Sequence, residues 1–302
     1  MNILIVGSEG FIGSHLCNFF INDHQNIVVG VDIIDTNEIN PNMTYQKIDK
    51  HHVNWGEILN KFNIDLCINA SGIGNVALSI KEPLKDFEAN TLDVIKLLEG
   101  IRVHRQQCKY IHISSAAVYG NPEKLPISEG DETKPISPYG YHKLMSEWIC
   151  REYSTLYNIK LIVIRPFSLF GIGLKKQLIW DICNKLKSSD SIELFGTGRE
   201  TRDFIHISDF VELIDTILKK ATFKSQIFNA ASGKETSIKN ISEIVAKYYK
   251  NQKTISFNGQ NKPGDPINWQ ANIDEIINLG FHPNKKIQDA IVEYLIWFDK
   301  NS

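Results

Sequence analysis

The sequence predicts an α/β protein, a doubly wound parallel sheet followed by a smaller C-terminal α/β lobe that would hold the substrate. Apolar runs of strand length alternate with helical periods through the first half, the pattern of a parallel sheet covered on both faces. Glycines cluster between the first such run and the first helical period. Beyond residue 164 the elements shorten, so the division is expected at residues 1–164 and 165–302, with some exchange of elements. A chain of 302 residues is about twice the length of an average domain, which suits two lobes sharing a cleft.

Taken in order, strands are expected at residues 3–6, 27–32, 45–48, 66–70, 110–114 and 161–164, and helices near 11–22, 55–62, 84–103 and 138–157. The crossovers between such strands are right-handed. Leu84, Phe87, Val94, Leu97 and Ile101 recur at helical spacing and assign one buried face to the third helix. Ser137 and Pro138 open the fourth. The second lobe reads as a helix around 178–186, extended pieces at 192–195 and 204–207, and helices from Ser208, Ser237 and Lys285. The last of these carries Ile287, Ile291, Leu295 and Phe298 on one face. No internal repeat or low-complexity tract interrupts the chain.

Composition excludes several classes of function. Hydrophobic residues make up 42% and charged residues 23%, as in folded globular chains, and no stretch is long and apolar enough to cross a bilayer. Lys and Arg total 33 against 35 for Asp and Glu, so neither a nucleic acid nor a membrane surface is expected as a partner. The first residues show no signal-peptide pattern, and a cytoplasmic location is expected. Cys17, Cys67, Cys108, Cys150 and Cys183 lie in apolar segments without metal-type spacing, so neither disulfides nor a bound metal is expected. Adjacent His51 and His52 would point apart on a strand, which disfavours a metal site. His112 and His206 read as packed, hydrogen-bonded side chains. The tryptophans, at 55, 148, 180, 269 and 297, are scattered through core and interface positions.

The first strand runs into Gly7, Ser8, Glu9, Gly10, Phe11, Ile12 and Gly13, with a helix following. Glycines there permit a tight turn, let backbone amides approach a pyrophosphate, and let the helix pack close to the strand. A second strand ends at Asp32 at the spacing a dinucleotide fold requires, so a Rossmann-type sheet binding NAD is expected. The Asp32 carboxylate would accept ribose hydroxyls and repel a 2′-phosphate, favouring NAD over NADP. Ala70 and Ser71, closing the fourth strand, are expected to join the cofactor-binding set.

Ser114 and Ser115 end the fifth strand at the carboxyl edge, where ligands sit in doubly wound sheets. Tyr139 and Lys143 follow, four residues apart on one helical face. A phenol near its ordinary pKa of about 10 is a poor base at neutral pH, but a neighbouring ammonium and an oxidised nicotinamide would both favour its phenolate. Lys143 would also bind the ribose, and Ser115 would hold the same substrate oxygen as Tyr139.

Several stretches now stand in one order: Gly7 to Gly13; Ser114, Ser115, Ala116, Ala117, Val118, Tyr119 and Gly120; Ser137 to Lys143; Arg165, Pro166 and Phe167; Thr201, Arg202 and Asp203; and Pro263, Gly264 and Asp265. With these motifs the chain resembles the extended short-chain dehydrogenase/reductases, in their NAD-dependent epimerase/dehydratase branch. The resemblance implies that Ser115 rather than Ser114 takes the catalytic position, that Asp49 lies near the adenine, and that Asn90 supports the cofactor side. It further implies that Arg202 meets the substrate diphosphate and that helices 84–103 and 138–157 form a homodimer interface. Three departures stand out. Ser168 replaces the Asn that usually follows the Arg, Pro, Phe run, Lys262 stands where an Arg is frequent, and Ala116 and Ala117 replace the acidic pair of the dehydratases. Lys175 and its neighbour Lys176 are further phosphate candidates.

The expected activity is thus NAD-dependent 4-epimerisation of a nucleotide sugar, with a UDP sugar favoured, through a transient 4-keto intermediate. A 4-ketoreductase acting on a 4-keto-6-deoxy sugar is the alternative, and a catalytically silent nucleotide sensor is a third.

Overall fold

The apolar runs of the first half form strands β1 (Asn2–Val6), β2 (Ile27–Asp32), β3 (Thr44–Lys47), β4 (Leu66–Asn69), β5 (Lys109–Ile113) and β6 (Leu161–Pro166), in a computed structural model that describes residues 1–36, 40–249, 253–260 and 264–301. Helices α1 (Phe11–Ile21), α2 (Trp55–Lys61), α3 (Val76–Lys81), α4 (Pro83–Phe87), α5 (Asp93–His104) and α6 (Pro138–Tyr157) alternate with them. The later chain supplies β7 (Ser168–Phe170), α7 (Gln177–Ser188), β8 (Ser191–Leu194), β9 (Thr201–His206), α8 (Ile207–Lys220) and β10 (Lys224–Ala230). It ends with β11 (Glu235–Ser237), α9 (Ile238–Tyr248), β12 (Thr254–Phe257), α10 (Asp274–Asn278) and α11 (Ile287–Asn301).

The chain divides into two units. The first comprises Met1–Gly120, Thr133–Arg165 and Leu218–Phe228, and the second Asn121–Glu132, Pro166–Ile217 and Asn229–Ser302. In the first unit the strand order is β10, β6, β5, β4, β1, β2, β3, and every pairing from β6 to β3 is parallel. The chain steps outward from β1 to β3, then restarts on the other side with β4. The order therefore reverses between β1 and β4, and their carboxyl ends open the crevice where such sheets take ligands. Ile3, Leu4 and Ile5 are fully buried, as expected of strands covered on both faces. One covering layer packs Leu59, Leu97, Leu98, Ile101, Cys150 and Tyr153 of α2, α5 and α6 against Leu4, Val29, Cys67, Tyr110 and Val163 of the sheet.

In the second unit β9 pairs in parallel with β7 and antiparallel with β11, while β8 and β12 form a separate parallel pair. Buried Asp203 on β9 accepts the Ser232 N–H at 2.8 Å, the Ser232 hydroxyl at 2.7 Å and the Ala271 N–H at 3.1 Å. The Tyr294 hydroxyl donates to the Leu174 carbonyl at 2.6 Å and docks α11.

The third helix departs from expectation. A π turn at Glu88–Leu92 separates α4 from α5, and its extra residue rotates the face, so Leu84 is 70% exposed while Val94, Leu97 and Ile101 stay buried. Helix α3 and the short strands β7, β11 and β12 were too brief to carry a period, and β10 joins the first sheet from far along the chain. All five cysteines are buried, and among the described residues no helix is long and apolar enough to cross a membrane.

Candidate active site

The glycine turn closes the carboxyl end of β1. Gly7 adopts φ of +81°, and its N–H and that of Ser8 both donate to the Val31 carbonyl, at 2.9 and 3.2 Å. A Cβ on Gly13 would fall 2.0 Å from the Gly7 oxygen, and one on Gly7 would fall 2.8 Å from the Ser71 backbone. Helix α1 therefore starts hard against the turn, with Gly10 as N-cap and Phe11, Ile12 and Gly13 as its first residues. The amides of a first helical turn have no partner within the helix and present the positive end of its dipole. The Ser8 hydroxyl is buried with no hydrogen-bond partner among the described residues. A closed turn kept bare at Gly7, Gly10 and Gly13, set before free amides, fits the pyrophosphate of a dinucleotide.

The Asp32 carboxylate accepts the Glu9 N–H at 3.0 Å and the Ile33 N–H at 2.7 Å, which fixes it beside the turn with lone pairs left for ribose hydroxyls. Asp49 is exposed, accepts the His51 N–H at 2.9 Å and contacts His52 Nδ1 at 2.8 Å, and these contacts hold it below the usual carboxylate range. His51 and His52 stand on an exposed turn rather than a strand, and no cluster suited to a metal occurs among the described residues. Asn69 at the end of β4 accepts the Ser71 N–H at 3.2 Å and the Ser71 hydroxyl at 2.6 Å, and so orients the Ala70–Ser71 step. Asn90, buried on the π turn, donates to the Ile73 carbonyl at 3.1 Å. A Cβ on Gly72 would lie 2.5 Å from its oxygen, so Asn90 pins the loop after β4.

The catalytic candidates converge in the same unit. Ser115 caps the short turn Ala116–Val118, accepting the Ala117 N–H at 3.1 Å. Ser137 caps α6 through the Gly140 N–H at 3.2 Å, and a Cβ on Gly140 would lie 2.6 Å from the Ala117 carbonyl. That bare glycine lets the first turn of α6 rest on the turn after Ser115, which brings the Ser115 hydroxyl near enough to the Tyr139 phenol to pull its pKa down. Lys143, 3% exposed, donates from Nζ to the Ile113 carbonyl at 2.7 Å. Behind them Ser114 donates to Glu147 at 2.5 Å, and Arg165 grips Glu147 at 2.6 Å and donates to the Tyr119 hydroxyl at 2.7 Å.

Without the cofactor, the electrostatics oppose the phenolate. Burial pushes the Tyr139 phenol up, the Ser115 hydrogen bond pulls it down, and the Asp86 carboxylate pushes it up again. Burial draws Lys143 down to about 8 against a lesser upward pull from Glu147, which leaves it mainly an ammonium at neutral pH. In the protein alone the phenol is therefore held protonated.

The substrate candidates lie in the second unit. Ser168 pairs with Phe204 in register, and Arg202 stands two residues before Phe204, on the same face of that sheet. The Arg202 guanidinium donates to the Thr201 and Ile267 carbonyls at 2.8 and 3.1 Å and lies 5.8 Å from the Trp269 ring centroid. Lys175 is exposed, and Lys262 falls outside the described residues. His112 is packed, its Nε2 2.9 Å from the Ser146 hydroxyl, and His206 Nδ1 lies 2.8 Å from the Ser208 hydroxyl. Sequence reasoning missed Asn69, Ser79, Asp86, Gly140 and Glu147. A single polar or small residue in the sequence does not say what it faces.

The family model described as the NAD dependent epimerase/dehydratase family matches residues 3–231. A UDP-glucose 4-epimerase of Streptococcus mutans is 29% identical, with 91% of this chain and 93% of that protein covered. One from Lactobacillus helveticus is 28% identical, covering 98% and 97%. The crystal structure of UDP-glucuronic acid 4-epimerase from Bacillus cereus, in complex with UDP-glucuronic acid and NAD, superposes over 100% of both chains with a TM-score of 0.93 at 25% identity. On the match to its model, the chain belongs to the NAD dependent epimerase/dehydratase family.

Proposed function

We propose that the protein is an NAD-dependent nucleotide-sugar 4-epimerase acting on a UDP sugar. The observation that carries this reading is the start of α6, with Tyr139 and Lys143, seated on the turn that Ser115 caps, in the unit that holds the glycine turn and Asp32. Relatives over the whole chain that carry the UDP-glucose 4-epimerase name support it.

In this reading Gly7, Gly10, Phe11, Ile12 and Gly13 hold the pyrophosphate of NAD, Asp32 the adenosine ribose, and Asp49 the adenine side. Ala70 and Ser71 line the same edge, with Asn90 fixing their loop. Bound NAD⁺ supplies a hydride acceptor, and in its reduced form the donor, at sugar C4. Tyr139 takes the proton of the C4 hydroxyl and returns it after the 4-keto sugar has turned over. Ser115 donates to the same oxygen and holds it in line, while Lys143 binds ribose hydroxyls and stabilises the phenolate. Arg202 and Lys175 neutralise the diphosphate, with Lys262 as a further cation, and Ser168 contacts the sugar. The enzyme works in the cytoplasm as a homodimer and takes no nucleic-acid partner.

The test is a proton NMR time course of the anomeric region with UDP-glucose, UDP-N-acetylglucosamine and UDP-glucuronate, each with catalytic NAD⁺ or NADP⁺. A new anomeric doublet growing to equilibrium with NAD⁺ alone, and absent with Tyr139→Phe, is expected. Stoichiometric consumption of reduced cofactor by a 4-keto sugar, with no interconversion of the three UDP sugars, would instead identify a reductase.

A further inference from the structure

Helices α4 and α6 bury a second titratable pair beside the phenol, and no step above uses it. Asp86 is 1% exposed, its Oδ2 lies 2.6 Å from His142 Nδ1, and its Oδ1 has no hydrogen-bond partner among the described residues. A buried carboxylate with one oxygen unpaired is costly and calls for an explanation. Its partner is firmly held. The His142 ring stands edge-on to Phe87 at 5.5 Å, and its carbonyl accepts the Thr91 hydroxyl at 3.0 Å. His142 follows Tyr139 by three residues, on the same face of α6. The Tyr139 backbone is fixed as well, its N–H donating to the hydroxyl of buried Ser79 on α3 at 3.1 Å.

We propose that Asp86, anchored by His142, is a positioning residue that raises the proton affinity of the Tyr139 phenol. The inference rests on the reading of Tyr139 as the acid–base group. A negative charge held by His142, one helical turn from the phenol, adds to the larger effect of burial in favouring the neutral form and offsets part of the opposite pull of Ser115. A group that must take a proton and then return it cannot be so acidic that the return fails, and Asp86 supplies that restoring bias. The titratable groups around the carboxylate are His142, Tyr139 and Lys143 on α6. Lys81, Glu82, Lys85 and Glu88, on α3, α4 and the turns beside them, are partly or fully exposed. The same charge favours the protonated form of Lys143, so its removal acts on both members of the pair.

The experiment is a tyrosinate absorbance titration of the purified protein, with Tyr139→Phe subtracted so that only this phenol is read. Alongside it runs the pH profile of kcat. Asp86→Asn should lower the phenol midpoint by about one pH unit and move the acid limb of kcat the same way. Asp86→Glu should restore both. His142→Gln keeps a donor to the carboxylate but cannot carry charge, so its midpoint should equal or exceed that of the native chain. An unmoved midpoint in Asp86→Asn would overturn the proposal, including where kcat falls equally at every pH. So would a lowered midpoint in His142→Gln. If Tyr139→Phe retained turnover, the function assigned to Tyr139 would fail while the titration still reported what Asp86 does to the phenol.

Discussion

Lys143 illustrates what a buried ammonium costs the fold. Its ammonium is buried, its one described hydrogen bond goes to the Ile113 carbonyl, and burial draws its pKa from 10.5 to about 8. A lysine with a folded pKa below its unfolded value adds stability only above the unfolded value, and loses it as pH falls through the folded one. At neutral pH the buried charge therefore destabilises the native state by about 3 kcal/mol, and the penalty fades between pH 8 and 10.5. Lys143→Met removes that charge but also a hydrogen bond worth about 1 kcal/mol. The variant should be inactive, yet more stable than the native chain by about 1–2 kcal/mol at pH 7, with the order reversed near pH 10.5. Urea denaturation at the two pH values reads this directly, and a native chain that is the more stable at pH 7 would show that the ammonium is better solvated than its burial implies.

The element that joins the proposed catalytic groups is the start of α6, and Gly140 is its critical residue. Ser115 and Tyr139 belong to separate elements, and they meet because nothing on Gly140 holds α6 off the Ala117 carbonyl. Gly140→Ala puts a methyl group 2.6 Å from that oxygen, so the helix must shift by several tenths of an ångström. Since misplacement by about 1 Å can cost 10²-fold, turnover should drop by about 10–100-fold while NAD binding and the circular dichroism spectrum stay near native. Unchanged kcat would mean that the turn yields instead of the helix. The glycine turn with Asp32, and the pair Tyr139 and Lys143, were legible as candidates because each is a spacing within one short stretch of chain. Gly140 was not, since its meaning lies in contact with Ala117, and the Glu88–Leu92 turn was not, since one added residue leaves the hydrophobic period almost intact. The same blindness misassigned Leu84 to the buried face. Ser168 and Arg202 were legible as motif residues, but the face they share follows from the pairing of β7 with β9, which no local pattern encodes.

For the whole molecule, the residues that the first unit leaves exposed are as telling as its core. Along α6, Tyr141 is 51% exposed, Trp148 60% and Leu156 64%, at spacings of seven and eight that form one stripe on the helix. Leu84 on α4, at 70%, and Leu92 on the π turn, at 37%, add to the uncovered apolar surface of that unit. A buried position would explain large apolar side chains of this kind, and a single exposed Trp carries little weight where a stripe of three carries more. A second copy of the chain fits because a twofold axis sets the same stripe against itself, and a stable contact of this kind buries about 1,600 Å² in total. Sedimentation equilibrium should therefore give twice the mass of the chain. Trp148→Glu, which sets a charge in the middle of the stripe and touches none of the catalytic contacts, should shift the protein to monomer at micromolar concentration without altering its NAD affinity. A native chain that sediments as a monomer would leave the stripe free for another partner and remove the homodimer from the proposed function, whereas the acid–base reading of Tyr139 would stand, since Ser115, Tyr139 and Lys143 all belong to one unit of one chain.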